Sequence, residues 1–197
     1  MNKYIIFLLI CLFVMGCSDN NPEQIEEISV SEIGTCGTPA PPPPAWFFES
    51  DTRGLNNEKY YNLNVFVHVV RTSYGYGFNK ETVSSTIISN LNRDYLNTNF
   101  SFSLLGSEYI DDDNFNNLPS ALINPLFGKN RRSNAINIYV LTTGTNFNAA
   151  GQAQSIPSTA CIIKGNYYEE STVAHEVGHC LGLYHTHHGT SVGERGS

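Results

Sequence analysis

The chain has 197 residues, 41% of them hydrophobic and 15% charged, with a formal net charge of -7. That is material for one globular domain with its own core and too little for a second. Lys and Arg total 11 against 18 Asp and Glu, and Arg131 and Arg132 form the only adjacent basic pair. Phosphate backbones demand clustered cations, so nucleic acid is excluded as a partner.

Lys3 and the apolar run from Ile5 to Met15 have the charge and length of a signal-peptide core, too short to span a bilayer comfortably. Export is therefore expected, with residues 1–16 as the leader. The run ends in "VMGC", which resembles the lipobox of bacterial lipoproteins. By that resemblance Cys17 is lipidated and anchors the protein at the outer membrane or cell surface, each buried methylene adding roughly 0.8 kcal/mol. The plainer alternative is a secretory signal with an incidental cysteine. Cys36, Cys161 and Cys180 remain, an odd number in an oxidising compartment, so at least one thiol is free or otherwise engaged.

Residues 17–59 read as a tether or pro-segment. Residues 18–50 hold Asp19, Glu23, Glu26, Glu27, Glu32 and Glu49, the run "TPAPPPPA", and no Lys or Arg. Such sequence buries too little apolar surface to fold alone.

The globular part is assigned to residues 60–197. "YNLNVFVHVVR" alternates Leu63, Val65, Val67 and Val69 against a second face, as a strand does. A helix capped by Asn79 follows, with Val83, Ile87, Leu91 and Tyr95 along one side. "FSFSLL" and "AINIYVL" read as strands flanking a loop-rich stretch around 111–125. "AAGQAQS", residues 149–155, suits an edge strand open to close backbone approach, and "TACIIK" a buried neighbour. A last helix is expected, with Glu169 and Glu170 near its N-terminus and Val173, Val177 and Leu181 as its core stripe. The expected fold class is α+β: a mixed twisted sheet with a backing helix and a helix that carries the chemistry.

That last helix carries "AHEVGHCLGLYHTHH", which holds five of the chain's 6 histidines. At about 100° per residue, His175 and His179 fall on one face, one turn apart, opposite the valine stripe. Glu176 projects to one side of the pair, where it can reach a metal-bound water without ligating the metal. Gly182 can take the left-handed conformation that ends a helix, returning His185 beneath the pair as a third ligand. The complete pattern His-Glu-x-x-His-x-x-Gly-x-x-His arises by accident in roughly a few sequences per hundred thousand of this composition.

"HEVGHCLGLYHTH" resembles the metzincin clan of zinc metalloproteases, and "GLYHT" the pappalysin (cytophagalysin-like) family in particular. The resemblance extends back to about Tyr60 and implies a metzincin N-terminal subdomain. It implies zinc held by His175, His179 and His185, a water of lowered pKa in the fourth position, and Glu176 as the base that takes its proton. A peptide or protein substrate would lie extended and antiparallel along residues 149–155. "TCGTPA", residues 35–40, resembles the cysteine switch of zymogenic metzincins, in which a thiolate sits on zinc and excludes water. The arginine and aspartate that flank the matrix-enzyme version are missing. Cys36 thus has three readings: switch ligand, disulfide partner, or free thiol. Cys161 and Cys180 read as small core residues.

The remaining signals are weaker. His187 and His188 read as exposed loop residues, since a catalytic zinc already has three protein ligands. His68 reads as a sheet-face histidine or as one abutting the cleft. "DDDN", residues 111–114, reads as a solvated acidic loop before a calcium site.

Metzincins carry a methionine turn and a C-terminal subdomain downstream of the third histidine, whereas this sequence has only Met1 and Met15. The C-terminal subdomain is expected to be missing, leaving either a truncated reading frame or a degenerate protein. Two functions follow: a lipid-anchored zinc endopeptidase, or a noncatalytic zinc-binding or adhesive surface lipoprotein. An intact Glu176 favours the first and the missing methionine turn the second.

Overall fold

The structure, a computed structural model, describes residues 35–39, 41–42 and 59–185. The leader, Cys17, most of the acidic tether, His187 and His188 lie outside the described residues. No helix among the described residues is long and apolar enough to cross a membrane.

Five strands form one sheet in the order β2-β1-β3-β5-β4. They are β1 (Tyr61–Arg71), β2 (Phe100–Asp111), β3 (Ile136–Leu141), β4 (Gly151–Ala153) and β5 (Ala160–Lys164). β1, β2, β3 and β5 run parallel, and β4 pairs antiparallel to β5 at one edge. The sheet is thus mixed, as the α+β reading expects. α1 (Lys80–Asp94) makes the crossover from β1 to β2, and α4 (Thr172–Cys180) follows β5.

Parallel strands are covered on both faces, so their sequences read as nearly continuous apolar runs. All six residues of β3 are buried. On one face Val65, Val67 and Val69 pack with Ile138, Val140, Cys161 and Ile163 against Val83, Ile87 and Leu91 of α1 and Val173 and Val177 of α4. On the other, Val70, Tyr139, Leu141 and Ile162 pack with Leu118, Leu126 and Phe127.

Asn79 caps α1 as expected, its Oδ1 accepting from Thr82 N–H at 2.9 Å. Tyr95 is the C-terminal cap of α1 and not part of the helix. Residues 111–125, expected as loop, contain α2 (Asp113–Asn117), a 3₁₀ turn (Ser120–Leu122) and α3, which runs on to Gly128 (Ile123–Gly128). Asp112 caps α2 through Asn114 N–H, Asp111 pairs with Arg71 at 2.9 Å, and Asp113 accepts from Ser73 N–H. The acidic run is therefore built into turn and cap contacts, which tie it to the end of β1.

His68 is wholly buried on the face that Tyr139 shares, its ring stacked on Tyr139 with centroids 4.3 Å apart. α4 packs on the opposite face, because neighbouring strand positions alternate sides and Val67 and Val69 belong to the α4 layer. The reading of His68 as abutting the cleft is thereby corrected.

Candidate metal centre

α4 begins at Thr172, since Glu169 closes a 3₁₀ turn (Gly165–Glu169) and Ser171 is the cap. The two glutamates therefore precede the helix and do not form its first turn. Val173 and Val177 are fully buried, each contributing about 2 kcal/mol by burial. Leu181, expected as a third member of the stripe, is the C-terminal cap and packs, partly buried, against the same core. Tyr95, the cap that ends α1, steadies the helix, its hydroxyl donating to Ala174 O at 3.0 Å.

Gly182 has φ +98, a conformation open to glycine and costly for residues with a Cβ. There the chain leaves the helix, with Leu183 N–H donating to Gly178 O at 2.9 Å. This turn returns His185 to the histidine pair. His175 Nε2 and His179 Nε2 are 3.0 Å apart, and His185 Nε2 is 3.2 Å from each. His179 Nδ1 donates to Leu183 O at 2.7 Å, which turns its Nε2 toward the other two.

Cys36 completes the group. Its Sγ lies 3.5 Å from His179 Nε2, and the four potential donor atoms of Cys36, His175, His179 and His185 all lie within 4.8 Å of one another. Three converging imidazole nitrogens and a thiol repel one another or compete for protons unless a cation sits among them. A tetrahedral ion with nitrogens at about 2.0–2.1 Å spaces them about 3.4 Å apart, so the donor set fits a divalent soft or borderline metal. Burial raises the Cys36 pKa, but hydrogen bonds from His175, His179 and Thr38 outweigh it and bring the thiol down to about 4. All three described cysteines are free, which sets aside the disulfide reading of Cys36; Cys161 and Cys180 are buried in the core, as expected.

Glu176 is fully buried beside this group and turned toward β4. Its Oε2 accepts from Ala153 N–H at 2.8 Å and from Thr38 Oγ1–H at 2.6 Å. Its Oε1 is buried and has no hydrogen-bond partner among the described residues. Burial lifts its carboxyl to about 7, against the pull of the Thr38 hydrogen bond. Gly151 makes this close packing feasible, since a Cβ there would lie 2.6 Å from Glu176 Cγ.

Residues 35–38 reach the site along the outer edge of β4. Ala150 N–H donates to Thr35 O at 2.9 Å and Gly37 N–H to Gly151 O at 2.8 Å, and Cys36 pairs with Gly151 in parallel. The edge strand foreseen from "AAGQAQS" is thus occupied by the chain's own segment. A cleft of about 430 Å³ lies on the other side of the histidines, bounded by Tyr95, Ala174, Leu183 and Tyr184. Sequence reading missed Thr38, Ala153 and Gly151. The small residues at 149–153 were the one available signal.

The chain is 32% identical over 146 residues to an extracellular metalloprotease of Arthroderma benhamiae and, to the same extent, to one of Trichophyton verrucosum. The chain is a distant relative of extracellular metalloproteases. Each alignment covers 62% of this chain and 47% of the relative, so the chain spans about half the length of the curated relatives it matches. Among solved structures it is similar to metalloproteinase-II from Bacteroides fragilis, with a TM-score of 0.46 and 15% identity over 66% of this chain and 45% of that one. No protein-family model matches the chain.

Proposed function

We propose that the chain forms the zinc site of a zinc-dependent endopeptidase of the pappalysin-like kind, exported, anchored by lipid at Cys17, and latent while Cys36 occupies the metal. The observation that carries this reading is the three Nε2 atoms within 3.2 Å of one another beside a buried carboxylate that belongs to no ligand set. A protein that only stores metal has no use for Glu176 there.

Zinc would be held by His175, His179 and His185, with Cys36 as a displaceable fourth ligand. When bound it supplies Lewis acidity toward a carbonyl and acidifies a water. Glu176 takes a proton at Oε1, the oxygen left without a partner, and hands it to the leaving amine, while Ala153 N–H holds Oε2. A carboxyl lifted toward neutrality by burial suits a group that must both accept and return a proton. Leu183 O fixes the ring and tautomer of His179. Once residues 35–37 leave, Gly151 O and Ala150 N–H become free for an extended peptide substrate.

The second reading, a noncatalytic zinc-binding or adhesive surface lipoprotein, is favoured by Cys36 itself, because a fourth protein ligand closes the position that a catalytic zinc keeps open for water. The two separate in one experiment. Elemental analysis should give about one zinc per chain, lost when His175 and His179 are both exchanged. The complete gene product should hydrolyse casein, and Glu176→Ala should abolish hydrolysis while zinc is retained. Hydrolysis that survives Glu176→Ala removes the assigned base; a full-length product inactive even as Cys36→Ala selects the second reading.

A further inference from the structure

We propose that Thr38 is a second latch on this site, closing the carboxylate of Glu176 independently of the Cys36 thiol. The inference rests on the reading of Glu176 as the base and adds a regulatory contact to it.

An extended backbone sends alternate side chains to the same side. In Cys36-Gly37-Thr38, the first and third residues therefore face α4 together and Gly37 lies between them. The register is pinned by Gly37 N–H to Gly151 O at 2.8 Å. A Cβ at Gly37 would lie 3.0 Å from Ala149 Cβ, so the segment lies tightly on the strand. The two inward side chains then meet two different partners: Cys36 Sγ meets the histidines, and Thr38 Oγ1 meets Glu176.

The Thr38 contact is built as a closed unit. Oγ1 donates to Glu176 Oε2 at 2.6 Å, the length of a charge-assisted bond to a carboxylate. It accepts from Ala153 N–H at 2.7 Å, and the same N–H also reaches Oε2 at 2.8 Å, one donor shared by two acceptors. Thr38 is 8% exposed and Glu176 fully buried, so water competes poorly for these bonds. The hydroxyl occupies Oε2 and ties the carboxylate to the segment that also carries Cys36. The hydroxyl makes none of these contacts through the metal or the thiol; Thr38 meets the thiol separately, its main-chain N–H donating to Cys36 Sγ at 3.4 Å, a bond that Thr38→Val leaves in place.

The separable quantity is docking of the segment in metal-free protein, read by hydrogen exchange at the Gly37 amide in the full chain. In Cys36→Ala that amide should stay protected. In Thr38→Val, which keeps the shape and deletes the hydroxyl, exchange should quicken roughly ten-fold or more, the loss expected for a hydrogen bond to a charged group. Thr38→Ser should restore protection, and Thr38→Val should add little in a Glu176→Ala background. Gly37 exchange in Thr38→Val equal to the parent's, or full loss of protection in Cys36→Ala alone, overturns the latch. If Thr38→Val does not fold, Glu176→Ala serves as the test, since it removes the same bond from the other side. Casein hydrolysis by the zinc-loaded complete product separates the two readings. Absence of Glu176-dependent cleavage with the exchange result intact sinks the peptidase and spares the latch; the converse sinks the latch alone.

Discussion

Gly151 and Glu176 pack so closely that a single added carbon at position 151 would meet Glu176 Cγ at 2.6 Å and Oε1 at 2.9 Å. Backbone from β4 and a side chain from α4 therefore share one wall of the site. Gly151→Ala should push the carboxylate off Ala153 N–H and lower stability by about 1–3 kcal/mol, as overpacking does. Thermal melting of zinc-loaded protein checks this, and an unchanged midpoint would mean that the carboxylate yields without cost.

Gly182 tests the return of His185. A Cβ there would meet nothing within 4 Å, and the φ of +98 is the only obstacle. Gly182→Ala should cost about 1 kcal/mol through the backbone alone and weaken zinc binding about ten-fold by displacing His185. Competition against a chromophoric chelator measures the affinity; wild-type affinity in this variant would show that the turn does not set the third ligand.

Metal removal should destabilise the chain, because donors from residue 36 and from residues 175–185 meet at one point. A ligand bound only by the folded state adds about 2.7 kcal/mol at one hundred times its dissociation constant. The melting midpoint should fall on chelation and rise again with the logarithm of added zinc. A midpoint indifferent to zinc would argue that the four side chains hold no ion.

His68 supplies a pH dependence remote from the site. Burial pushes its pKa below the ordinary value, against hydrogen bonds to Asn137 and Glu108 that pull it upward. The facing groups are Glu108 at 2.9 Å, itself paired with Arg132, and Asn137 at 3.2 Å. Below about pH 6.5 the unfolded chain takes up a proton that the folded chain refuses. Stability from this residue is thus complete above that pH and is lost as pH falls toward the lowered native value. Urea midpoints between pH 7.5 and 5 should decline more steeply in the parent than in His68→Gln, and equal slopes would assign the decline elsewhere.

The long elements and the site differ in how they can be read from sequence. β1, β3 and α1 show because their apolar residues recur at strand or helix period. α2 does not show, being five residues long and made almost wholly of Asn and Asp, whose side chains favour caps and turns; α3 does not show because its six residues include Pro125 and Gly128, both poor helix formers. The histidine set is legible because all three ligands lie within eleven residues. Glu176 and Thr38 are separated by 138 positions, and no local pattern announces a pair made by folding. Cys36 shows only through its likeness to a known switch, and its place on the histidines follows from pairing along β4.

The segment that covers the site also has a mechanical character. Residues 35–38 belong to neither apolar cluster of the interior and hang on the outermost strand by two main-chain bonds. Departure would then resemble peeling tape from a rim: each bond breaks in turn, the five strands stay as they are, and activation requires no repacking of the protein beneath.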